Sequence, residues 1–508
     1  MGVMRFQVSS LPTLEKHWPD LYRAYMTGAD GRVYPTRVEV DGTIITCRRL
    51  VSDSGRLYVA WPVAGFGTPV VCTASLVERP EPYLLTVELA RGKIALLRDQ
   101  ISAWEIAGMT IPAAFQEPFH EAHRLFGRAA AIQDQPAEAS ALGAESLRWA
   151  FVAGEIAVKA YASQRMAARR KRSPLPPAAL GCRLGGQVLD ARFEKLFSEA
   201  FTAAAVPVEW RNVEPAAGHR QWEISDRQVE WCLANRLLVC GGPLLNFAPD
   251  AMPGWLGSWS KDASNLQSLV CDYVETAVAR YAGQIRKWEV CAGGNTGGAL
   301  GLSEEDRLGL VARALDVVRQ VDDEIQVLIQ IDQPWGEYQS RGMHRLSPLQ
   351  FVDALLRSGI GLSAVNLEVA VGFRPRGSSP RDLVDLSRML DNWAALGIPL
   401  YVTLACPSES QSPDPLANAG IQVESDDAHE AWNEAAQAAW VDSVLPVLMA
   451  KQSVVGIFWT HFSDGAPHDY PHAGLLRPDG TPKPAFDRLL AQRRAFSKPE
   501  NESSQDEG

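Results

Sequence analysis

Val206-Pro207-Val208-Glu209-Trp210-Arg211-Asn212-Val213-Glu214-Pro215 is a short β-branched run that ends in an aromatic and a cation and then breaks at a proline. A loop and an amphipathic segment follow, through Gly218, Trp222 and Asp226. In a (β/α)8 barrel each strand delivers its C-terminal side chains to one mouth, and the chain then returns through a helix. The stretch therefore predicts a barrel strand at Val206–Trp210, with Trp210 and Arg211 on the rim.

The same rhythm recurs on both sides of it. Eight strand candidates read as Leu180–Arg183, Val206–Trp210, Leu237–Gly241, Arg286–Cys291, Gln326–Asp332, Ala364–Ala370, Ile398–Ala405 and Val454–His461. Helical periodicity alternates with them at Phe193–Ala204, Leu266–Tyr281, Glu304–Val321, Pro348–Ser358, Arg381–Leu396, His429–Met449 and Ala485–Phe496. Eight strand–helix units close most economically into a parallel TIM barrel of the α/β class. No Gly-x-Gly-x-x-Gly turn follows the first strand, which argues against a doubly wound nucleotide-binding sheet.

Ahead of the barrel, segments such as Arg37–Val40, Thr43–Cys47 and Leu57–Trp61 alternate with period two between turn residues, as in a small β-sandwich over residues 1–88. Residues 89–177 read as packed helices ending in a Pro-rich linker, 178–496 as the barrel, and 497–508 as a polar, disordered tail. The run Arg169-Arg170-Lys171-Arg172 sits where cations complement a helix C-terminus.

Of 508 residues, 49 are Lys or Arg and 60 Asp or Glu, and this acidic balance argues against nucleic acid or an anionic membrane as partner. The sequence shows no apolar leader and no run long enough to span a bilayer, so the expectation is a cytoplasmic protein. The eight cysteines form no Cys-x-x-Cys pair and mostly lie in apolar runs, which predicts buried thiols.

Several pieces of the chain together resemble the glycoside hydrolase family 10 (xylanase) barrels, and among them a divergent bacterial group with an N-terminal extension. They are Trp210-Arg211 through Asp226, Gly241-Gly242-Pro243-Leu244-Leu245 with Pro253-x-Trp255-Leu256, and Arg280-Tyr281 through Trp288-Glu289-Val290. Gly397-Ile398-Pro399-Leu400, Gly456-Ile457-Phe458-Trp459 and Pro482-Lys483-Pro484-Ala485-Phe486 complete the set, which covers roughly residues 180 to 490. The resemblance implies an O-glycosyl hydrolase barrel, a β-linked polysaccharide or oligosaccharide ligand, and no metal or other cofactor in the chemistry.

The matched catalytic positions depart from the family pattern. Ala292-Gly293 stands where the fourth strand should end in Asn-Glu, and Thr403-Leu404 where the seventh should end in Thr-Glu. Retaining hydrolysis needs two carboxyl groups flanking the scissile bond. The candidates from strand ends are Asp332 and Glu368, expected side by side on strands five and six, and Glu337 in the following loop. Glu289, four residues before Gly293, should sit about 13 Å deeper as a structural acid.

Aromatic faces and planar polar groups suit a sugar ring, so Trp210, Trp255, Trp335 and Trp459 are expected as platforms, with Arg211, Asn295, His461 and Asp464 as hydroxyl partners. The histidine-rich loop from Thr460 to His472 lacks a His-Glu-x-x-His helix and is expected to contact sugar, with no metal. A non-catalytic glycan-binding protein on a degenerate barrel is the alternative, since both matched glutamates are absent.

Overall fold

The computed structural model describes residues 2–9, 21–173, 176–342, 344–424 and 432–497. Its centre is a closed ring of eight parallel strands: Ala179–Arg183, Ala203–Val206, Leu238–Gly241, Lys287–Ala292, Gln326–Asp332, Ala364–Ala370, Leu400–Ala405 and Val454–Trp459. The last strand pairs with the first, Ile457 opposite Leu180 and Trp459 opposite Cys182, so the sheet has no edge. Helices alternate with the strands, and the ring is a (β/α)8 barrel.

One expected strand is shifted. The second strand is Ala203–Val206, and the residues from Trp210 to Val213 form a short helical turn instead of a strand end. The Ala203-Ala204-Ala205 run carries helix propensity, but the preceding helix stops at Ala200 and the alanines pair with both neighbouring strands. Their small side chains suit the barrel base, where Ala203 packs with Leu328, Ala364, Tyr401 and Phe458, so tertiary packing overrides propensity. The last helix before the eighth strand is seen from Glu434; its expected start at His429 lies outside the described residues, as does the tail from 498.

The barrel base depends on two glycines. A Cβ on Gly181 would stand 2.4 Å from the Phe458 ring, and one on Gly456 would stand 2.4 Å from the Tyr401 ring. Lys287 donates from Nζ to the Tyr401 hydroxyl at 2.5 Å and ties the fourth strand to the seventh. The aromatic rings thus lie across the ring of strands and fill it.

The described residues up to 84 include two four-stranded sheets: 37–41, 44–49, 2–7 and 83–84 in one, and 33–34, 25–27, 56–60 and 70–72 in the other. They share a core that includes Phe6, Met26, Leu57 and Val71. Three helices follow, Leu85–Ile106, Ala113–Ala131 and Pro136–Arg172. At the end of the third, Arg169 Nη1 donates to the carbonyls of Met449 and Lys451 at 2.9 and 3.0 Å. The basic run thereby caps a second helix, Glu434–Ala450, as well as ending its own.

All eight cysteines are free thiols, and only Cys271 is not fully buried. Among the described residues no helix is long and apolar enough to cross a membrane.

Because both glycines face rings that cannot retreat, Gly181→Ala and Gly456→Ala should each lower unfolding stability by about 1–3 kcal/mol through overpacking. Chemical denaturation of the two variants checks this, and a loss below about 0.5 kcal/mol in both would contradict the packing described.

Candidate active site

Inward-facing side chains build the site in layers above the aromatic floor. In the middle layer Arg183 Nη2 donates to Glu289 Oε1 and to Gln330 Oε1, each at 2.9 Å. Asn366 Nδ2 donates to the other Glu289 oxygen at 2.6 Å, and Thr403 Oγ1 donates to Asn366 Oδ1 at 3.0 Å. Glu289 is therefore a buried structural acid; burial raises its pKa, against the pull of Arg183 and Asn366.

The next layer up carries two carboxylates. Asp332 and Glu368 are register partners on strands five and six and are both almost fully buried. Gln330 Nε2 donates to Asp332 Oδ1 at 3.1 Å and Thr296 Oγ1 to Oδ2 at 3.2 Å. Tyr470 donates its hydroxyl proton to Glu368 Oε2 at 2.7 Å, and Arg376 lies 3.9 Å from the same oxygen. Burial first, and the charge of Asp332 second, push the Glu368 carboxyl up to about 7.

Gly293 marks how the mouth has been rebuilt. Its φ is +64°, and a Cβ there would lie 3.2 Å from the Ala248 nitrogen and 3.5 Å from Asp332 Oδ2. The strand-five carboxylate thus reaches the space beside Gly293. Thr403 is the register partner of Glu368.

Above these residues opens a cleft of about 1300 Å³. Arg183, Glu209, Asp332, Arg376, His461 and Asp469 line it together with Arg211, Asn212 and Gln333. Glu209 and Asp469 are carboxylates that strand-end reasoning did not select. Burial, then Asp469, raise Glu209 to about 7 despite three nearby arginines. For Asp469 burial also pushes upward, but Arg376 and Arg183 outweigh it and hold the carboxyl below its ordinary range. Glu209 stood one position before Trp210, and only the shortened second strand turns it toward the opening.

Several expected residues lie elsewhere. Trp210 is buried, stacks on Tyr273 at 4.8 Å and donates from Nε1 to Glu214 at 3.0 Å. Trp459 is buried too, with Nε1 donating to the Ala473 carbonyl at 2.7 Å. Trp255 packs edge-on against Trp210 and donates to the Glu214 carbonyl at 3.0 Å, and Trp335 lies under the Arg381 guanidinium, 5.0 Å from its ring centre. None of the four indoles lines the cleft: Trp210, Trp255 and Trp459 find ring or backbone partners in the packing beneath the loops, and Trp335 lies under Arg381. The aromatic surface of the cleft comes from Tyr25, Tyr58 and Tyr338 and from histidines.

Glu337 does line the cleft, but its carboxylate pairs with Arg381 at 2.5 Å and accepts from the Ser379 N–H at 3.3 Å. Asn295 holds the Asp332 backbone from both sides, accepting from its N–H at 3.1 Å and donating to its carbonyl at 2.8 Å. Arg211 lines the cleft and donates to the Asp250 carbonyl at 2.6 Å.

In the last loop His461 reaches the cleft while Asp464 sits behind it. Asp464 accepts from His461 Nε2 at 3.0 Å, from the Gly474 N–H at 2.7 Å and from Lys483 at 2.5 Å. That bond fixes the proton on Nε2, and the buried Nδ1 is left as an acceptor with no partner. Burial holds His461 down to about 4, and the His461 and Lys483 partners outweigh burial to hold Asp464 well below its ordinary range.

His461, Asp464 and His468 bring potential ligand atoms within 4.8 Å of one another. Apart from His461 Nδ1 these groups are engaged: His468 bonds the Ala466 carbonyl and Asp414, and Lys483 already supplies the positive charge at Asp464. The set suits a hydrogen-bond relay better than a cation.

The two titrating groups oppose each other with pH. A Glu368 carboxyl raised from 4.5 to about 7 contributes stability that is complete below pH 4.5 and is lost as the pH rises to about 7. A His461 imidazole lowered from 6.5 to about 4 contributes stability that is complete above 6.5 and is lost as the pH falls to about 4. Glu368→Gln should therefore gain about 2–3 kcal/mol relative to the parent between pH 4.5 and 7.5, and His461→Asn should gain a similar amount as the pH falls from 7 to 4. Denaturation across that range checks both, and parallel pH profiles for parent and variants would refute the assignment.

Comparison with known proteins agrees with this architecture. Residues 188–306 match the family model for glycosyl hydrolase family 10. Endo-1,4-beta-xylanase B of Thermotoga neapolitana is 29% identical over 85 residues, which are 16% of this chain and 23% of that protein. The chain therefore matches less than a quarter of the length of that curated relative. Similar solved structures include a GH10 protein from Paenibacillus barcinonensis, at TM-score 0.48 and 16% identity over 65% of this chain and 97% of that one. Xylanase 10B of Thermotoga petrophila in complex with xylobiose gives TM-score 0.46 and 14% identity over 66% and 97%. The barrel of this chain is glycosyl hydrolase family 10-like.

Proposed function

We propose that the chain is a glycoside hydrolase acting on β-linked oligosaccharides in the barrel mouth, with Asp332 and Glu368 as its carboxylate pair. The observation that carries this reading is the adjacency of the two acids on neighbouring strand ends, one of them pushed up to about 7, beside a cleft lined by planar polar groups. A carboxyl raised to that value holds its proton near neutral pH and can give it to a leaving oxygen, with Asp332 placed beside it as the second acid of the pair. Glu337, tied to Arg381, serves in this reading as part of the cleft wall. The volume exceeds the roughly 300–1000 Å³ typical of small-molecule sites, which favours a ligand of several sugar rings.

A second reading, binding without turnover, is favoured by one feature. The Asp332 oxygens and one Glu368 oxygen are already engaged by Gln330, Thr296 and Tyr470, and Gly293 and Leu404 stand where the resemblance read from the sequence would put the family's glutamates.

Incubation with aryl β-glycosides and with xylo- and cello-oligosaccharides, alongside calorimetric binding, separates the two. For a hydrolase, Asp332→Asn and Glu368→Gln should each cut kcat at least about 100-fold, and kcat should fall as the pH rises above about 7. Turnover that survives both substitutions would refute the assignment of the pair. Heat of binding with no release of reducing ends would establish the second reading.

A further inference from the structure

The N-terminal sheets are built into the rim of the barrel. Arg381, in the loop after the sixth strand, donates from Nη2 to the Tyr25 hydroxyl at 2.8 Å while pairing with Glu337 and with Asp385 on the barrel side. The Val70 N–H donates to the Pro380 carbonyl at 2.8 Å, and Lys93 pairs with Asp382 at 2.7 Å in a buried setting. Arg23 stands 3.7 Å from Glu424, which also pairs with Arg374. These contacts join the module to the loops of strands five, six and seven, on the mouth side of the barrel.

The joined surface carries ligand-facing groups. Arg23, Tyr25, Tyr58, Ala60 and Val70 line the same cleft as Arg183 and Asp332. Tyr25 and Tyr58 are opposite one another across two antiparallel strands, with rings 5.0 Å apart and 3° from parallel, and the Arg381 guanidinium lies 6.0 Å from the centre of the Tyr58 ring. An aromatic ring and a guanidinium on one wall, facing planar amides and carboxylates across the opening, have the chemistry of a sugar subsite.

We propose that the N-terminal β-module forms a distal glycan subsite, in which Tyr58 and Arg23 contact sugar units beyond those held over Asp332 and Glu368. The ligand is accordingly a neutral β-linked oligosaccharide of more than two units, and the module sets the preference for its length. This inference rests on the glycan reading above and adds the residues that select among glycans.

Calorimetry on the full chain with xylo- and cello-oligosaccharides of two to six units tests it. The unmodified protein should bind the longer members at least about tenfold more tightly than the disaccharide. Tyr58→Ala and Arg23→Gln should each remove most of that gain and leave disaccharide affinity within about twofold. In the unmodified protein the hexasaccharide, and not the disaccharide, should slow amide exchange across residues 56–60. A gain that persists in both variants, affinities that fall equally for all lengths, or exchange at 56–60 unchanged by the hexasaccharide would overturn the subsite and leave the glycan reading intact. Failure of the unmodified protein to bind any member would overturn both.

Discussion

Arg183 brings a full charge into the interior of a closed barrel, and the surrounding strands are arranged to answer it. A buried cation without an anion is costly, whereas a paired and fully hydrogen-bonded one is tolerated. Here strand four supplies Glu289, strand five Gln330, and strand six Asn366, which is steadied in turn by Thr403 from strand seven. Five strands are thus held in one register by side chains as well as by their ladders. Above this layer the inward-facing positions of strands five and six are Asp332, which lines the cleft, and Glu368, which is buried beside it. Removing one partner would leave another charge buried and alone, which makes the layer a single cooperative unit.

The electrostatics of the mouth follow from the same crowding. Glu209, Glu368 and Asp469 lie close enough to Arg183 and Arg376 to feel their charge, and burial pushes all three carboxyls upward. Where the arginines are close they win, and Asp469 stays ionised. Where burial and a neighbouring carboxylate win, as at Glu368 and Glu209, the proton is retained to about 7. Groups of one chemical type are driven to different protonation states by position alone.

The barrel was legible because its strands are apolar runs buried on both faces and bounded by turns, a pattern that survives any detail of packing. Seven of the eight fell within two residues of their expected bounds; the second did not, because alanines chosen to fit against Tyr401 and Phe458 look like helix when read alone. The adjacency of Asp332 and Glu368 followed from counting residues along neighbouring strands. The fate of the indoles did not. An indole at a strand end faces either a ligand or the underside of a loop, and Trp210 and Trp459 found Glu214 and Ala473 in segments whose path local sequence does not encode. The same holds for Tyr58, which reaches the cleft because Arg381 and the Pro380 carbonyl hold Tyr25 and Val70 of the N-terminal sheets against the rim.

The aromatic floor has a consequence for traffic. With Phe458 and Tyr401 laid across the base and glycines on adjoining strands leaving them no slack, the barrel axis offers no back exit. Whatever enters must leave by the door it came through, past the same arginines and tyrosines. A molecule seated at the bottom could depart only after anything docked above it, so the order of departure would be governed by the outer wall.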